Sequence, residues 1–330
     1  MIRLTDTISI VAESPGLAHD QIEVVITIPT FKRPDHIIKT LNSVINQTTK
    51  RKYAIIVMDN DAEGLQGIGA CQSLFETGKV TGTLLIAHAR GNCNAYNAGW
   101  LTAQKLYANF KYLIVIDDDE VACPNWIEDM CATAEKFGTD IVGGPQLPVF
   151  DTPKLQAFEK HPVFTPHYSQ TGPVPIVYSS GNLLVSHKLM DVMGHPFFEL
   201  RFNFMGGGDA DLIDRSVRQG FKVAWCNEAP VHETVPSRRT ESDWLRARSL
   251  RNGVISALVE RRQRAGQPLG RARTFAKSVA LLAVSPFRAI KRTIETGSLM
   301  IGTYPVYIGL GRVLGEFGYS NEQYRHAEKN

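Results

Sequence analysis

The residues most suited to chemistry are three consecutive aspartates, Asp117, Asp118 and Asp119, which directly follow the apolar run at 112–116. An uncharged run rich in β-branched residues predicts a buried central strand. Carboxylates crowded at the end of such a strand repel one another, and a divalent cation would relieve that repulsion. Oxygen ligands suit magnesium or manganese, which commonly bridge to substrate phosphates. The sequence therefore predicts a metal–diphosphate site here; the alternative is a solvated acidic turn that caps the helix beginning near Pro124.

Strands and helices alternate regularly around the aspartates. Strands are predicted at 24–29, 53–58, 83–88 and 112–116, and helices at 35–46, 65–75, 94–107 and 126–137. This alternation predicts an α/β fold, with a mostly parallel sheet covered by helices on both faces. Right-handed crossovers would then place Thr30, Asp59 and the three aspartates at one edge of the sheet.

The alternation ends after residue 144, at a proline-rich segment, 145–175. We expect this segment to be a functional loop, because long irregular connections are uncommon inside compact domains. Regular structure is predicted at 177–185, followed by a helix at 209–219, a short strand at 222–226 and a basic helix at 241–264. The predicted organisation is a loosely ordered leader at 1–20, a catalytic domain at 21–240 (nucleotide-sugar half 21–120, acceptor half 121–240) and a basic helical C-terminal region at 241–330.

The composition of the chain limits which cellular compartment and which partners are expected. The five cysteines form no Cys-x-x-Cys pair, which argues for a reducing compartment and against a disulfide framework or a zinc site. No signal peptide and no apolar stretch of bilayer length is visible, so we expect a cytoplasmic protein. Between residues 238 and 292, fourteen Lys and Arg stand against three Asp and Glu. No nucleic-acid-binding motif accompanies this basic excess, so no nucleic-acid partner is expected.

Seven motifs in order resemble glycosyltransferase family 2, whose members are inverting, metal-dependent enzymes with the GT-A fold. The resemblance covers about residues 22 to 255, and the tail resembles bacterial exopolysaccharide glucosyltransferases of the succinoglycan type. Each motif is weak alone, whereas their order and spacing together are specific. The motifs are 28–34, 57–60, 97–99, Asp117–Asp119, 206–211, 232–236, and Trp244 with Arg248 and Arg251.

The resemblance implies a role for each matching residue. Asp209 would be the general base that takes the proton of the attacking hydroxyl. Asp117, Asp119 and His232 would hold Mn²⁺ or Mg²⁺, which neutralises the leaving diphosphate. The nucleotide-sugar, expected to be a UDP-sugar, would be bound by Pro29, Thr30, Arg33, Asp59, Asn97, Asp117 and Asp118. The acceptor or its diphosphate would meet Asp211, Arg239, Trp244, Arg248 and Arg251. The expected acceptor is a lipid-linked glycan. Two positions depart from the family pattern: Gly208 replaces a glutamate and Tyr96 replaces an arginine.

Several of these roles have structural alternatives. Asp209 would also serve as a helix cap, Asp59 as a turn cap, His232 as a structural histidine, and Arg33 as a solvated residue of the first turn. Two other functions compete with sugar transfer. A sugar nucleotidyltransferase should carry a glycine-rich phosphate loop with lysine, which is absent. A catalytically silent glycan-binding module would not need Asp119 or Asp209.

The C-terminal region also allows two interpretations. The apolar pieces 275–287 and 299–314 are interrupted by Pro286 and Pro305, which predicts short amphipathic pieces lying in the plane of an anionic membrane. The alternative is a helical subdomain with a solvated basic face. Peripheral contact with the cytoplasmic face of the membrane would follow from the first interpretation alone.

Overall fold

The computed structural model describes residues 1–319. The helices are α1 Pro34–Ile45, α2 Gln66–Glu76, α3 Asn92–Leu106, α4 Trp126–Phe137, α5 His187–Met193, α6 Gly208–Arg218, α7 Ser242–Gln263, α8 Gly270–Thr296, α9 Leu299–Gly302 and α10 Tyr304–Glu316. The strands are β1 Ile2–Thr5, β2 Ile8–Glu13, β3 Val24–Thr30, β4 Tyr53–Asp59, β5 Gly82–Ala87, β6 Tyr112–Ile116, β7 Glu120–Ala122, β8 Ile141–Gly143, β9 Gln146–Phe150, β10 Gly172–Pro173, β11 Asn182–Ser186, β12 Val223–Trp225 and β13 Val231–Val235. In this part of the chain no helix is both long and apolar enough to cross a bilayer.

The main sheet has the strand order β1-β2-β5-β4-β3-β6-β11-β8-β12-β10. Its centre, β5-β4-β3-β6, is parallel throughout. Antiparallel pairs flank the centre, beginning with β2 against β5 and β11 against β6. The register sets Thr30 beside Asp59, and the three aspartates begin where β6 ends. The predicted α/β fold class and the shared carboxyl edge are therefore confirmed.

Both faces of the central strands are buried, which explains their nearly continuous apolar sequences. Alternate residues such as Ile26, Ile28 and Val57 form one cluster with the apolar sides of α1, α2 and α4. The opposite face is covered by α3, where a Cβ on Gly99 would lie 2.6 Å from the Met58 sulfur. Glycine at this position allows the helix to approach the sheet closely.

The first twenty residues are not a loosely ordered leader, and that prediction is wrong. β1 and β2 pair with each other, and β2 pairs with β5 from Ile8 opposite Ala87 to Glu13 opposite Thr83. Ile8, Ile10 and Ala12 are buried. The segment therefore extends the sheet beyond β5.

Two later segments also differ from prediction. Within 177–185, regular structure begins only at Asn182, and the strand runs antiparallel to β6. The proline-rich segment contains β9, β10 and a 3₁₀ helix at Pro153–Lys160. Proline lacks a backbone N–H, so a 3₁₀ helix and short strands are forms that it tolerates.

The chain divides into two compact units. The first comprises Met1–Leu147, His167–Asn203 and Gly208–Glu233; the second comprises Pro148–Pro166, Phe204–Gly207 and the chain from Thr234. The second unit has its own core around Phe164, Val235 and Leu245. Its helix α7 packs against α10 and α8. The domain bounds drawn from the sequence stay a prediction.

Helix α8 is continuous, contrary to the expected interruption at Pro286. Proline at this position cannot donate to the carbonyl of Leu282, four residues earlier. The Ser285 hydroxyl donates to that carbonyl instead, at 2.7 Å. The replacement donor explains how the helix passes through the proline.

Candidate active site

Hydrogen bonds join the ends of the parallel strands. The Thr30 hydroxyl at the end of β3 donates to Asp118 Oδ2 at 2.8 Å. Asn60, just after β4, donates through Nδ2 to the carbonyl of Ala87 at 2.9 Å and accepts from the Gly91 N–H at 2.7 Å. The edge predicted to bind substrate is thus built from four neighbouring strands. Side chains at the carboxyl edge of a parallel sheet are well placed to meet a ligand.

Arg33 neutralises part of the acidic run. Its Nη1 lies 3.0 Å from Asp118 Oδ1 and 2.9 Å from Asp119 Oδ2. Burial alone lowers the pKa of the guanidinium, but the charges of Asp118 and Asp119 outweigh burial and raise that pKa above its ordinary value. Arg33 therefore stays charged and is more than a solvated residue of the first turn.

Asp117 faces Tyr96 of α3, one of the two departures from the family pattern. The Tyr96 hydroxyl donates to Asp117 Oδ1 and accepts from the Ser180 hydroxyl at 3.2 Å. The Tyr96 ring is buried and stacks on Phe198 with centroids 4.9 Å apart. Burial, and next the charge of Asp119, raises the pKa of Asp117 to about 7. Near neutral pH this carboxyl is therefore poised between its two protonation states.

Sequence reasoning missed two further acids, Glu120 and Glu233. They are directly opposed across the antiparallel pair of β7 and β13. Glu120 is buried; one of its oxygens accepts from the Asp117 N–H at 2.9 Å and the other from the Gln146 amide. Burial, then the charges of Asp117 and Glu233, raises the pKa of Glu120 well above its ordinary value. The acidic cluster therefore consists of Asp117, Asp118, Asp119, Glu120 and Glu233.

His232 lies opposite Val121 and is exposed. Adjacent residues of a strand point to opposite faces, so the His232 ring lies on the face away from Glu233 and Glu120. Across residues 1–319, no three His, Cys, Asp or Glu side chains are grouped to hold a metal ion. The predicted ligand set of Asp117, Asp119 and His232 is therefore not brought together in this geometry.

The lack of a side chain at Gly181 leaves space for the side chains of the acidic cluster. A Cβ at this position would lie 2.5 Å from Gln146 Nε2, 2.7 Å from Glu120 Oε1 and 3.1 Å from Asp117 Oδ2. The first two distances are shorter than carbon–nitrogen or carbon–oxygen contacts allow, so a larger residue would have to displace the Gln146 amide and the Glu120 carboxylate. The glycine precedes β11, where no sequence motif indicated a site.

Two residues predicted to bind the nucleotide hold the backbone in place. Asp59 is fully buried, and its oxygens accept from the N–H groups of Asp61 at 2.9 Å and Ile68 at 2.8 Å. The Asn97 amide exchanges two hydrogen bonds with the backbone of Phe198, at 2.8 and 2.9 Å. Pro29, next to Thr30 in β3, lies beside β4. The turn-cap alternative for Asp59 thus matches its contacts here.

Asp209 lies in the first turn of α6. Gly208 places this turn against α3, since a Cβ there would meet the Cys93 sulfur at 2.9 Å. Burial, and next the charge of Asp209, raises the pKa of the Cys93 thiol to about 12. Cys93 and Tyr96 are three residues apart and so share one side of α3. One side of α3 therefore lies near Asp209 through Cys93 and donates a hydrogen bond to Asp117 through Tyr96.

Asp211, predicted on the acceptor side, is buried in an ion-pair network. Its Oδ2 lies 2.8 Å from Arg215 Nε, and its Oδ1 lies 3.5 Å from Arg201 Nη2. Arg215 also donates to the carbonyl of Phe197 at 2.5 Å. These contacts give Asp211 a structural role that orients the start of α6.

The remaining predicted residues belong to the second compact unit. The guanidinium carbons of Arg239 and Arg248 lie 6.0 and 5.9 Å from the ring of Trp244. Arg251, one turn after Arg248 on α7, is buried. Two of the three predicted arginines thus lie near the indole ring of the predicted Trp244, an arrangement typical of cation–π contacts.

The α/β sheet carries an acidic cluster, which includes buried Asp118 and Glu120, at the carboxyl edge of its parallel strands, where such sheets bind ligands. Residues 25–195 match the family described as Glycosyl transferase family 2, and the chain belongs to that family. The predicted glycosyltransferase activity and GT-A fold are thereby confirmed.

Among its relatives, the succinoglycan biosynthesis protein ExoM of Rhizobium meliloti is 26% identical over 255 residues, which are 72% of this chain and 75% of ExoM. The glycosyltransferase AglE of Haloferax volcanii is 25% identical over 208 residues, 62% of this chain and 64% of AglE. Residues 1–349 of S. aureus TarS, solved with UDP, superpose with a TM-score of 0.49 at 12% identity, covering 93% of this chain and 98% of that one. The chain spans 55% of the longer TarS chain.

Proposed function

We propose that this protein transfers a sugar, with inversion, from a UDP-sugar to a lipid-linked glycan during exopolysaccharide or cell-surface polysaccharide synthesis. The observation that carries the proposal is the buried acidic cluster at the carboxyl edge of the parallel strands. The similarity to a protein named for succinoglycan biosynthesis supports the polysaccharide setting. We propose the cytoplasm as the compartment, with contact at the inner face of the membrane.

A divalent cation would have to draw carboxylates of the acidic cluster together, because within residues 1–319 no three acidic or histidine side chains are already grouped to hold one. The guanidinium of Arg33 contacts two of the five carboxyl groups, those of Asp118 and Asp119. A bound Mn²⁺ or Mg²⁺ would neutralise the diphosphate as it leaves. Asp117 and Asp119 are the proposed ligands, because oxygen donors suit both ions. Tyr96 and Arg33 would hold these carboxylates in place, as groups behind metal ligands commonly do.

Asp209 is the proposed general base. Its position in the first turn of α6 leaves the carboxylate at a helix N-terminus, where the helix dipole favours the ionised form that can accept a proton. Inverting transfer needs one such base, on the side of the sugar opposite the leaving diphosphate. Thr30 and Arg33 are the proposed contacts of the nucleotide side, and Arg239 and Arg248 those of the acceptor diphosphate.

The test measures manganese-dependent hydrolysis and transfer with a panel of nucleotide sugars. Asp119→Ala should abolish turnover while the protein stays folded, because removing one of several crowded carboxylates relieves repulsion. His232→Ala is the matched variant at the exposed position. Retained turnover in Asp119→Ala would overturn the metal assignment, and lost manganese binding in His232→Ala would restore the histidine to the ligand set.

Product analysis separates the remaining possibilities. Nuclear magnetic resonance of the sugar product should show an anomer inverted relative to the donor, and a retained anomer would contradict direct displacement. Release of pyrophosphate from a nucleoside triphosphate and a sugar phosphate would instead identify a nucleotidyltransferase. Glycan binding without turnover of any donor would identify a silent module.

A further inference from the structure

In helix α8 the usual placement of polar and apolar side chains is reversed. A helix of a soluble protein ordinarily buries its apolar side and exposes its polar side. The residues that α8 buries include Thr274, Ser278 and Ser285. They are four and seven residues apart, so they lie on one side of the helix. The side that packs against the rest of the second unit is therefore lined by small hydroxyl residues.

The opposite side of α8 exposes large apolar residues. Phe287, Ile290 and Ile294 are 74%, 61% and 78% exposed. Their spacing of three and four residues places them in one row, which Val279 and Ala283 continue toward the start of the helix. We call Val279, Ala283, Phe287, Ile290 and Ile294 the α8 apolar row. Leaving so long an apolar row in water is unfavourable, so the row is suited to an apolar partner.

Basic residues run beside this row. Arg273, Lys277, Arg288 and Lys291 are all exposed. Steps of four, eleven and three residues keep them on one flank of the helix, since eleven residues make three turns. Two acids face this flank: Glu295 of α8 lies 3.8 Å from Lys291, and Glu260 of α7 lies 3.1 Å from Lys277. Four cations against two acids leave the flank with a net positive charge.

We propose that α8 is a membrane-docking helix, which lies in the plane of an anionic bilayer with its apolar row among the acyl chains and its basic flank at the phosphates. Its apolar side and basic flank have the chemistry of interfacial helices. A second copy of this chain fits less well, because it would cover the apolar row without supplying the negative charge that the basic flank calls for, whereas an anionic bilayer supplies both. This inference extends the proposed function, since a lipid-linked acceptor is met at a membrane, but its test does not depend on catalysis.

The proposed surface keeps only part of the one that the sequence predicted. The sequence predicted membrane attachment through the apolar pieces 275–287 and 299–314 together with the basic helix at 241–264. In the structure that segment is largely α7, which packs against α10 and α8 and buries Arg251. We therefore assign lipid contact to α8, because its basic residues and its apolar row lie on the same exposed surface.

The experiment is vesicle flotation of the full chain with neutral phosphatidylcholine vesicles and with vesicles that also contain phosphatidylglycerol. The apolar test variant is Phe287→Ser with Ile294→Ser. Its matched control is Val192→Ser with Leu200→Ser, two residues of the first unit that are each 52% exposed. We expect the test variant to lose on the order of 100-fold in binding to anionic vesicles, because two large side chains no longer enter the lipid. The control should bind like the unchanged protein.

A second pair of variants tests the charge. Arg273→Gln with Arg288→Gln should weaken binding to anionic vesicles by about five-fold for each lost charge. Binding to neutral vesicles should not change. Arg3→Gln with Lys39→Gln, which removes two exposed charges of the first unit, is the control. An equal loss in both pairs would mean that net charge, and not α8, governs binding.

A fluorescence measurement covers the case in which the serine variant misfolds. Phe287→Trp keeps an apolar side chain at an exposed position, and its emission should shift to the blue when anionic vesicles are added. Besides an equal loss in both charge pairs, three outcomes would overturn the proposal: no binding of the unchanged protein to anionic vesicles, unaltered binding of the serine variant, or a dimer in solution that the serine variant separates. Donor hydrolysis, measured on the same samples, reports the proposed function separately.

Discussion

Replacing Tyr96 by phenylalanine tests how the acidic cluster is held. The change removes one hydroxyl and leaves the ring stacked on Phe198. That hydroxyl donates to Asp117 and accepts from Ser180. A hydrogen bond to a charged group contributes about 1.5–3 kcal/mol, which corresponds to about 10- to 100-fold in an equilibrium that needs the ionised carboxylate. The bond favours ionised Asp117, so its loss should raise the pKa of Asp117 further above about 7.

Isothermal titration with Mn²⁺ measures this effect. Near neutral pH we expect the manganese affinity of Tyr96→Phe to fall by about 10- to 100-fold, as for other groups that orient metal ligands. On the proposed assignment of Asp117 as a metal ligand, binding releases the proton of this carboxyl, so the affinity of either protein should fall as pH drops through about 7. The difference between the two proteins should narrow at higher pH, where Asp117 is ionised in both.

Tyr107→Phe is the matched control for this experiment. Its hydroxyl is also buried and lies 3.2 Å from the Thr83 hydroxyl, just after the end of α3 and eleven residues after Tyr96. This variant should lose about 1 kcal/mol of unfolding free energy with no change in manganese affinity. The reasoning would be refuted if Tyr96→Phe bound manganese like the unchanged protein, or if both variants lost affinity equally.

Three further predictions concern other positions. Gly181→Ala should lower the free energy of unfolding by about 1–3 kcal/mol in chemical denaturation, because its Cβ would lie 2.5 Å from the Gln146 amide, whereas Gly172→Ala, with open space around it, should have little effect. Asp209→Asn should cut turnover by about 10²- to 10⁴-fold with donor affinity retained; a collapse of donor affinity would place Asp209 on the donor side. His161 is buried, and burial lowers its pKa to about 4. The unfolded chain therefore takes up the proton first, and stability should fall by up to about 3 kcal/mol as pH drops from about 6.5 to 4, a loss that His161→Phe should remove.

The elements best predicted from sequence were those with a strict internal pattern. Helix α4 was predicted at 126–137 and spans those residues, and β6 was likewise predicted in full. β2 was missed although Ile8 and Ile10 alternate with polar Ser9, a strand-like pattern. Its partner, β5, lies more than seventy residues later, and such a long-range pairing leaves no local signal.

The sequence predicted the part of the site that lies at the carboxyl ends of the parallel strands. The aspartates, Thr30 and Arg33 meet at the edge where the parallel strands end. The orientation of the histidine motif was harder to predict, because a shift of one residue in the register of a strand exchanges the two faces to which its side chains point. Only the register of β13 against β7 shows that Glu233, and not His232, faces the cluster. Tyr96 was noticed as a departure, but its bond to Asp117 required the position of α3.

The pairing of β2 with β5 has a consequence for how the chain folds. Ile8 is made before its partner Ala87, and the two can pair only after β3, α1, β4 and α2 have also been made. Contacts so distant in sequence close late and slow folding. Until then the edge of β5 is open to strands of other chains. Once β1 and β2 are in place, the outermost strand is short, exposed and irregular at Arg3–Thr5, which makes it a poor template for a foreign strand. The first thirteen residues therefore protect the finished sheet from aggregation, and removing them as a dispensable tail would reopen it.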